Sequence, residues 1–380
     1  MTERRDSQRI LLLGNDPADQ QWSILDYGDH LRASMAQLVG RDWEVILRAP
    51  DTRKAGWWIR RFRAGCALAT YQSRYIHYPR LLRGLKADLY HILDHGNSWL
   101  IRYLDPKRTV VFCHDLIPLL FRDWGWSLWP WVSGRAFRHA IQWMSRAAAI
   151  ITNSACTRRD VITHLKYPAD RIHVVPLGLD PELHPPPTPA ARKEARKAFH
   201  LPDGPLLLHV GATAFYKNVE GVLQSLRILL ERGEAVRLVR AGEFLRQGQR
   251  RLAQKLGVAD RVMEMGSLPR AHLRRLYHAA DILVYPSWYE GMGIPPLEAM
   301  ASGVPVIASN RGALPETVGE AGILVDPGAP ELWADAIQRV LGDTTLQADL
   351  KTLGLARASE FRWEETAEKT WAVYRTILSM

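Results

Sequence analysis

Cysteine is scarce in this chain of 380 residues: only Cys66, Cys113 and Cys156 occur, an odd number at no metal-ligand spacing. That excludes a disulfide framework and points to a reducing compartment. The opening MTERRDSQRI has no apolar signal core, and no window is apolar enough to span a bilayer. A cytoplasmic protein is therefore expected. Neither G-x-G-x-x-G nor G-x-x-x-x-G-K-[ST] occurs, which disfavours an NAD or ATP enzyme. Asp-x-Asp is missing as well, and so is every acidic residue between Thr52 and Ala87.

What fills that last gap is basic. The stretch carries nine lysines and arginines, among them Arg60, Arg61 and Arg63, interleaved with Trp57, Trp58, Phe62, Tyr71, Tyr75 and Tyr78. A second aromatic cluster, Trp124, Trp126, Trp129 and Trp131, follows in FRDWGWSLWPWVSG. Residues 1–180 hold 26 basic against 17 acidic side chains, so they own nearly all of the chain's net charge of +10. Such a surface suits phosphate neutralisation on nucleic acid or contact with an anionic membrane, where each basic side chain contributes about 1 kcal/mol and tryptophans sit at headgroup level. No nucleic-acid module accompanies it, so a membrane surface is the expected partner, through Arg60, Arg61, Arg63, Trp57, Trp58 and Trp126.

Length and a 47% hydrophobic content allow two cores. Short apolar runs end repeatedly in polar residues. Ile10–Leu13 leads into Gly14-Asn15-Asp16, Asp88–Leu93 into Asp94-His95-Gly96-Asn97, Thr109–Phe112 into His114-Asp115, and Ala148–Thr152 into Asn153-Ser154. Helices are expected near Gly28–Val39 and over Ser154–Lys166, the latter capped by Ser154 or Asn153. After Ile172–Val175 comes PPPTP at Pro185–Pro189, which reads as a stiff linker and marks a boundary. Beyond it, Pro205–Val210, Val236–Ala241, Arg261–Met265 and Asp281–Tyr285 alternate with helical segments, as in a parallel sheet. Lys217 and Asn218 stand just before a helix N-terminus, where positive charge and dipole together suit a diphosphate.

The chain is organised around Tyr289–Pro327, YEGMGIPPLEAMASGVPVIASNRGALPETVGEAGILVDP. Glu290 sits where a strand gives way to a loop. Gly291 and Gly293 allow close backbone approach, and Pro295-Pro296 fix the start of a helix that carries Glu298. A helix end near Ser302-Gly303 and a strand over Val304–Ala308 complete the pattern of strand, glycine-rich loop, helix and strand.

This stretch resembles the donor-site signature of the retaining glycosyltransferases of family 4, whose pattern of two glutamates separated by seven residues is met by Glu290 and Glu298. The resemblance implies an α/β GT-B fold: two facing Rossmann-like domains, here an acceptor-side domain over 1–184, a donor domain over 185–361, and a C-terminal helix at 362–380 packing back on the first. It implies a nucleotide-sugar donor held by Gly211, Lys217, Asn218, Glu290, Gly291, Met292, Gly293, Ile294 and Glu298. Glu290 would take sugar hydroxyls, Glu298 the ribose and Lys217 the diphosphate. His114, in a His-Asp element followed by LIP, would touch the sugar near its reacting carbon, with His95 and Asn97 as further acceptor-side candidates. The chain departs from the family in lacking a Gly-Gly loop after its first strand. It also lacks the arginine five or six residues before the lysine, where Gly211 and Ala212 stand. Without Asp-x-Asp, no metal is expected. The implied activity is retaining transfer of a hexose, with mannose and a GDP-sugar favoured over UDP-linked donors, to a lipid-linked or envelope glycan at the inner membrane face. The alternatives are a GT-B nucleotide-sugar epimerase and a non-catalytic sugar-nucleotide binding scaffold.

Overall fold

A computed structural model of the protein describes residues 8–17, 22–51, 73–121, 134–186 and 188–380. The chain divides into two compact units, residues 1–178 with 363–380, and residues 179–362.

Unit 1 is built on six parallel strands: β1 (Gln8–Leu13), β2 (Trp43–Arg48), β3 (Leu89–Ile92), β4 (Thr109–Cys113), β5 (Ala149–Thr152) and β6 (Ile172–Val174), in the order β2-β1-β3-β4-β5-β6. Residues 10–13, 89–92, 109–113 and 149–152 are all buried, because strands in a parallel sheet are covered on both faces and so read as unbroken apolar runs. The edge strand β2 is only half-buried, and the sequence reading had no strand there. Helix Trp22–Val39 starts six residues before the expected Gly28. It brings the fully buried Tyr27 against Phe112, with ring centroids 4.5 Å apart.

Helix Trp363–Leu378 belongs to this unit. Trp363 lies so close to Gly178 that a Cβ there would stand 2.5 Å from the tryptophan's backbone nitrogen, so residue 178 must be glycine. The helix also seals the sheet: the Tyr374 hydroxyl and His91 Nδ1 of β3 are 2.6 Å apart, both groups fully buried.

Unit 2 repeats the plan with β7 (Leu206–Gly211), β8 (Arg237–Gly242), β9 (Val262–Glu264), β10 (Ile282–Tyr285), β11 (Val306–Ser309) and β12 (Ile323–Val325), all parallel, in the order β12-β11-β10-β7-β8-β9. Its core joins β7, β8, β10 and β11 to helix Val219–Glu231, whose Val219, Val222, Leu223, Leu226 and Leu229 recur at helical spacing, and to Trp333 and Ile337 of helix Pro330–Gly342. The linker segment enters this unit as a helix. Thr188 caps Pro189–Ala198 through its side chain and Pro189 opens the first turn, where a missing N–H costs nothing. Arg192 and Arg196 of that helix both reach the Asp281 carboxylate beside β10, at 2.5 and 2.6 Å.

The buried His91 gives a pH test. Burial, and to a lesser degree His114, lowers its pKa from 6.5 to about 3. Between those values the unfolded chain binds the proton and the folded one does not. Stability is therefore full above pH 6.5 and falls by up to about 1.4 kcal/mol per pH unit as pH drops toward 3. Thermal midpoints of His91→Phe should fall less between pH 7 and pH 5 than those of the wild type; equal slopes would show that His91 titrates normally.

Candidate functional site

In an open parallel sheet, ligand crevices lie outside the carboxyl ends of strands where the order reverses. Unit 2 reverses between β7 and β10, so the loops leaving those two strands are the place to look. They run close together: Trp288 N–H donates to the Tyr216 carbonyl at 2.7 Å.

The β7 loop is shaped by glycine and asparagine. Gly211 pairs with Gly242 of β8; a Cβ on Gly242 would lie 2.2 Å from the Gly211 carbonyl oxygen, so residue 242 must be glycine, while Gly211 is favoured by its φ of 145°. Asn218 adopts a left-handed conformation, with φ 52°, and caps helix Val219–Glu231 by accepting from Gly221 N–H at 3.2 Å. Its amide donates to the carbonyls of Pro286 and Pro327 at 3.1 and 2.8 Å. The side chain thus ties three segments into a scaffold and leaves Lys217 as the group that faces the β10 loop.

The Lys217 ammonium donates to Glu290 Oε1 at 2.7 Å and to the Tyr285 hydroxyl at 2.8 Å. It also stands 5.2 and 5.3 Å from the ring centres of Tyr285 and Tyr216. Lysine and glutamate side chains are only 12% and 10% exposed, so their attraction is weakly screened. Glu298, on helix Ile294–Ala301, accepts from the Tyr277 hydroxyl at 2.7 Å. Burial raises the pKa of Tyr285, and both Glu290 and Glu298 raise it further, so the two carboxylates act on one phenol. Around them, Gly293 has φ 93° and would meet Leu314 with any side chain, the Thr317 hydroxyl donates to the Met292 carbonyl, and the Met292 side chain is buried. Gly291 and Ile294 complete the same turn into the helix.

Sequence reasoning missed three groups here. Tyr285 ends a strand at the ligand edge, a position that could have flagged it. Tyr277 lies on a helix, where nothing local announces its carboxylate partner. Arg240, within β8, is 1% exposed, and its guanidinium donates to the carbonyls of Gly211 at 3.3 Å and Glu243 at 3.1 Å. A permanent cation thus lies beneath Gly211 and Ala212, where the family's arginine is absent. Burial first, then Arg240 and Lys217, hold the adjoining His209 well below its ordinary pKa, so it is neutral.

Unit 1 reverses between β1 and β3, and a different cluster gathers there. Asn15 donates to Asp94 Oδ2 at 2.6 Å and accepts from the Asn97 amide at 2.7 Å, all three residues being buried. Two buried atoms beside these contacts have no hydrogen-bond partner among the described residues, Asn97 Oδ1 and His95 Nδ1, the latter lying 3.5 Å from Asp94 Oδ1. From β4, His114 Nε2 lies 2.9 Å from the Leu93 carbonyl; a carbonyl only accepts, so Nε2 carries the hydrogen and Nδ1 is an acceptor. Burial lowers the His114 pKa to about 4, which keeps the ring neutral at pH 7. Arg60, Arg61, Arg63, Trp57, Trp58 and Trp126 lie outside the described residues. Among the described residues no helix is long and apolar enough to cross a membrane, and no group of three or more histidine, cysteine or carboxylate side chains is placed to hold a metal ion.

Two family models match, "Glycosyl transferases group 1" over residues 191–355 and "Glycosyltransferase Family 4" over 30–183. A D-inositol 3-phosphate glycosyltransferase of Corynebacterium urealyticum is 31% identical over 329 residues, covering 82% of this chain and 77% of that one. The O-antigen chain mannosyltransferase B of Escherichia coli is 32% identical over 241 residues, 62% of each chain. The matched stretch spans 57% and 62% of the first two curated relatives. Among solved structures, sucrose-phosphate synthase of Thermosynechococcus elongatus has a TM-score of 0.73 at 23% identity, covering 98% of this chain and 99% of that one. HepE of Anabaena, solved with UDP and glucose, has 0.72 at 20%, covering 98% and 100%. These likenesses establish the fold.

The scaffold role of Asn218 is testable. Asn218→Ala removes the cap and two buried hydrogen bonds and strains the left-handed backbone, which should destabilise unit 2 by about 3 kcal/mol. Asn218→Gly relieves only the backbone term and should recover about 1 kcal/mol. Denaturant unfolding reads both, and an Ala variant as stable as the wild type would refute the role.

Proposed function

This chain is a GT-B-fold member of the group 1 glycosyltransferases, and from that premise we propose that it transfers a hexose from a nucleotide sugar to a hydroxyl acceptor. The observation that carries this is the Lys217, Tyr285 and Glu290 cluster at the β7/β10 reversal, one cation beside carboxylates at a crevice position. Lys217 takes the diphosphate, Glu290 the sugar hydroxyls and Glu298 the ribose.

Breaking the bond between sugar and diphosphate develops positive charge at the anomeric carbon and negative charge on the leaving oxygens. The protein has mainly to stabilise the latter, which Lys217 does from a weakly screened position while the buried Arg240 adds a fixed positive field. With that much cationic character and no Asp-x-Asp, the transfer is metal-independent. Transfer with retention, by front-face attack of the acceptor, needs no enzymic nucleophile, and none is assigned. Neutral His114 accepts a hydrogen bond from a sugar hydroxyl at Nδ1.

The acceptor belongs to unit 1. Its edge offers Asn15, Asp94, His95 and Asn97, amides, a carboxylate and an imidazole that together suit a polyhydroxylated glycan. A mannosyltransferase among the relatives supports mannose, and a GDP-sugar is the favoured donor; the UDP and glucose bound by HepE keep UDP-glucose in view. The acid-free basic segment within 52–87, with its tryptophans, suits peripheral attachment to an anionic inner membrane face, where a lipid-linked acceptor resides.

The test is a thermal-shift panel of GDP-, UDP- and dTDP-sugars with and without EDTA, followed by a transfer assay with the stabilising donor. A donor at a hundred times its Kd should stabilise by about 2.7 kcal/mol, with EDTA making no difference. Lys217→Met and Glu298→Ala should lose that shift and lower kcat/KM by at least 100-fold, about 2.7 kcal/mol. Stabilisation that survives both substitutions would place the donor elsewhere, and a shift abolished by EDTA would refute the metal-free reading.

A further inference from the structure

The two groups assigned to adjoining parts of the donor, its diphosphate and its sugar, are bonded to each other. Lys217 Nζ and Glu290 Oε1 are 2.7 Å apart, Tyr285 closes the third side, and both charged side chains are about nine-tenths buried. A diphosphate that engages the ammonium competes with Glu290 for its charge, and what becomes of that carboxylate once the ammonium is drawn away depends on the ligand. A sugar nucleotide makes a double exchange: its diphosphate oxygens replace the carboxylate on the ammonium, and its sugar hydroxyls replace the ammonium on the carboxylate. A nucleoside diphosphate makes only half of it. It leaves a nearly buried carboxylate without its cation, facing the additional negative charge of a terminal phosphate, and an uncompensated buried charge is strongly disfavoured.

Resting on the donor reading above, we propose that Glu290 is the residue that discriminates the sugar-bearing donor from the sugar-free nucleotide, and that re-formation of its bond with Lys217 after transfer displaces the product. Glu290 thereby acts twice, first on the sugar and then as an internal substitute for the diphosphate. Neither role requires a change of protonation.

Isothermal titration of the full chain with GDP and GDP-mannose, and with UDP and UDP-glucose, decides the matter. The wild type should bind the sugar nucleotide of its preferred base at least tenfold more tightly than the matching diphosphate. Glu290→Gln keeps the shape of the side chain and removes its charge. It should bind the diphosphate about tenfold more tightly than the wild type does and the sugar nucleotide no more tightly, so that the preference collapses. Two results overturn the proposal: wild-type affinity for the diphosphate equal to or above that for the sugar nucleotide, or a folded Glu290→Gln that binds the diphosphate no better. The wild-type ratio can overturn the proposal even if the variant fails to fold. Absence of binding by either ligand type, or binding unchanged in Lys217→Met, would fell the donor reading itself and the proposal with it.

Discussion

The reversal of strand order between β7 and β10 is the constraint on which the rest of unit 2 depends. Neighbouring parallel strands normally carry their loops to the same side; where the order turns back, the loops diverge and a gap opens at the carboxyl edge. Lys217 and Glu290 are brought together there although 73 residues separate them in the chain. The tight features around them follow from the same crowding. Where β8 closes on the Gly211 carbonyl its last residue must be Gly242, and a turn that enters a helix in a left-handed conformation takes an asparagine that can also bind the adjacent loops.

Both units obey this rule, yet they fill the edge with different chemistry. Unit 2 places a lysine among carboxylates and phenols over a buried guanidinium, a set that holds anions and hydroxyls side by side. Unit 1 places amides, one carboxylate and two histidines, of which His114 is held neutral by burial. One topology thus supplies two kinds of edge, and the side chains rather than the sheet determine what each can recognise.

Much of this was legible in the chain itself, for identifiable reasons. Strands buried on both faces leave continuous apolar runs, so ILLL, TVVFC, ILVY and VIAS could be read directly, with the polar residues that follow them at the correct edge. Two of the four edge strands escaped: β2, which is half-exposed and carries Glu44, and β12, although β6 and β9 are equally short and were legible. The proline run was read as linker throughout because proline breaks helices, whereas Pro189 stands at the one helical position that tolerates it. The members of the donor cluster stood out individually through their loops and glycines. Their mutual bonding did not, since local pattern carries no information about contacts across the sheet. Arg240 was hidden by its neighbours: in RLVRAG it looks like the polar side of a half-exposed strand, whereas backbone carbonyls make its burial tolerable.

The chain leaves unit 1 at Gly178 and re-enters it at Trp363, and just inside those crossings Leu179 N–H donates to the Phe361 carbonyl at 2.9 Å. Unit 2 is in effect an insertion whose two ends meet. During synthesis from the N-terminus, all of it emerges from the ribosome before the helix that covers Tyr27, His91 and Gly178 exists. The half that begins first is therefore completed only after the other, and until its closing helix arrives the residues it covers lie open.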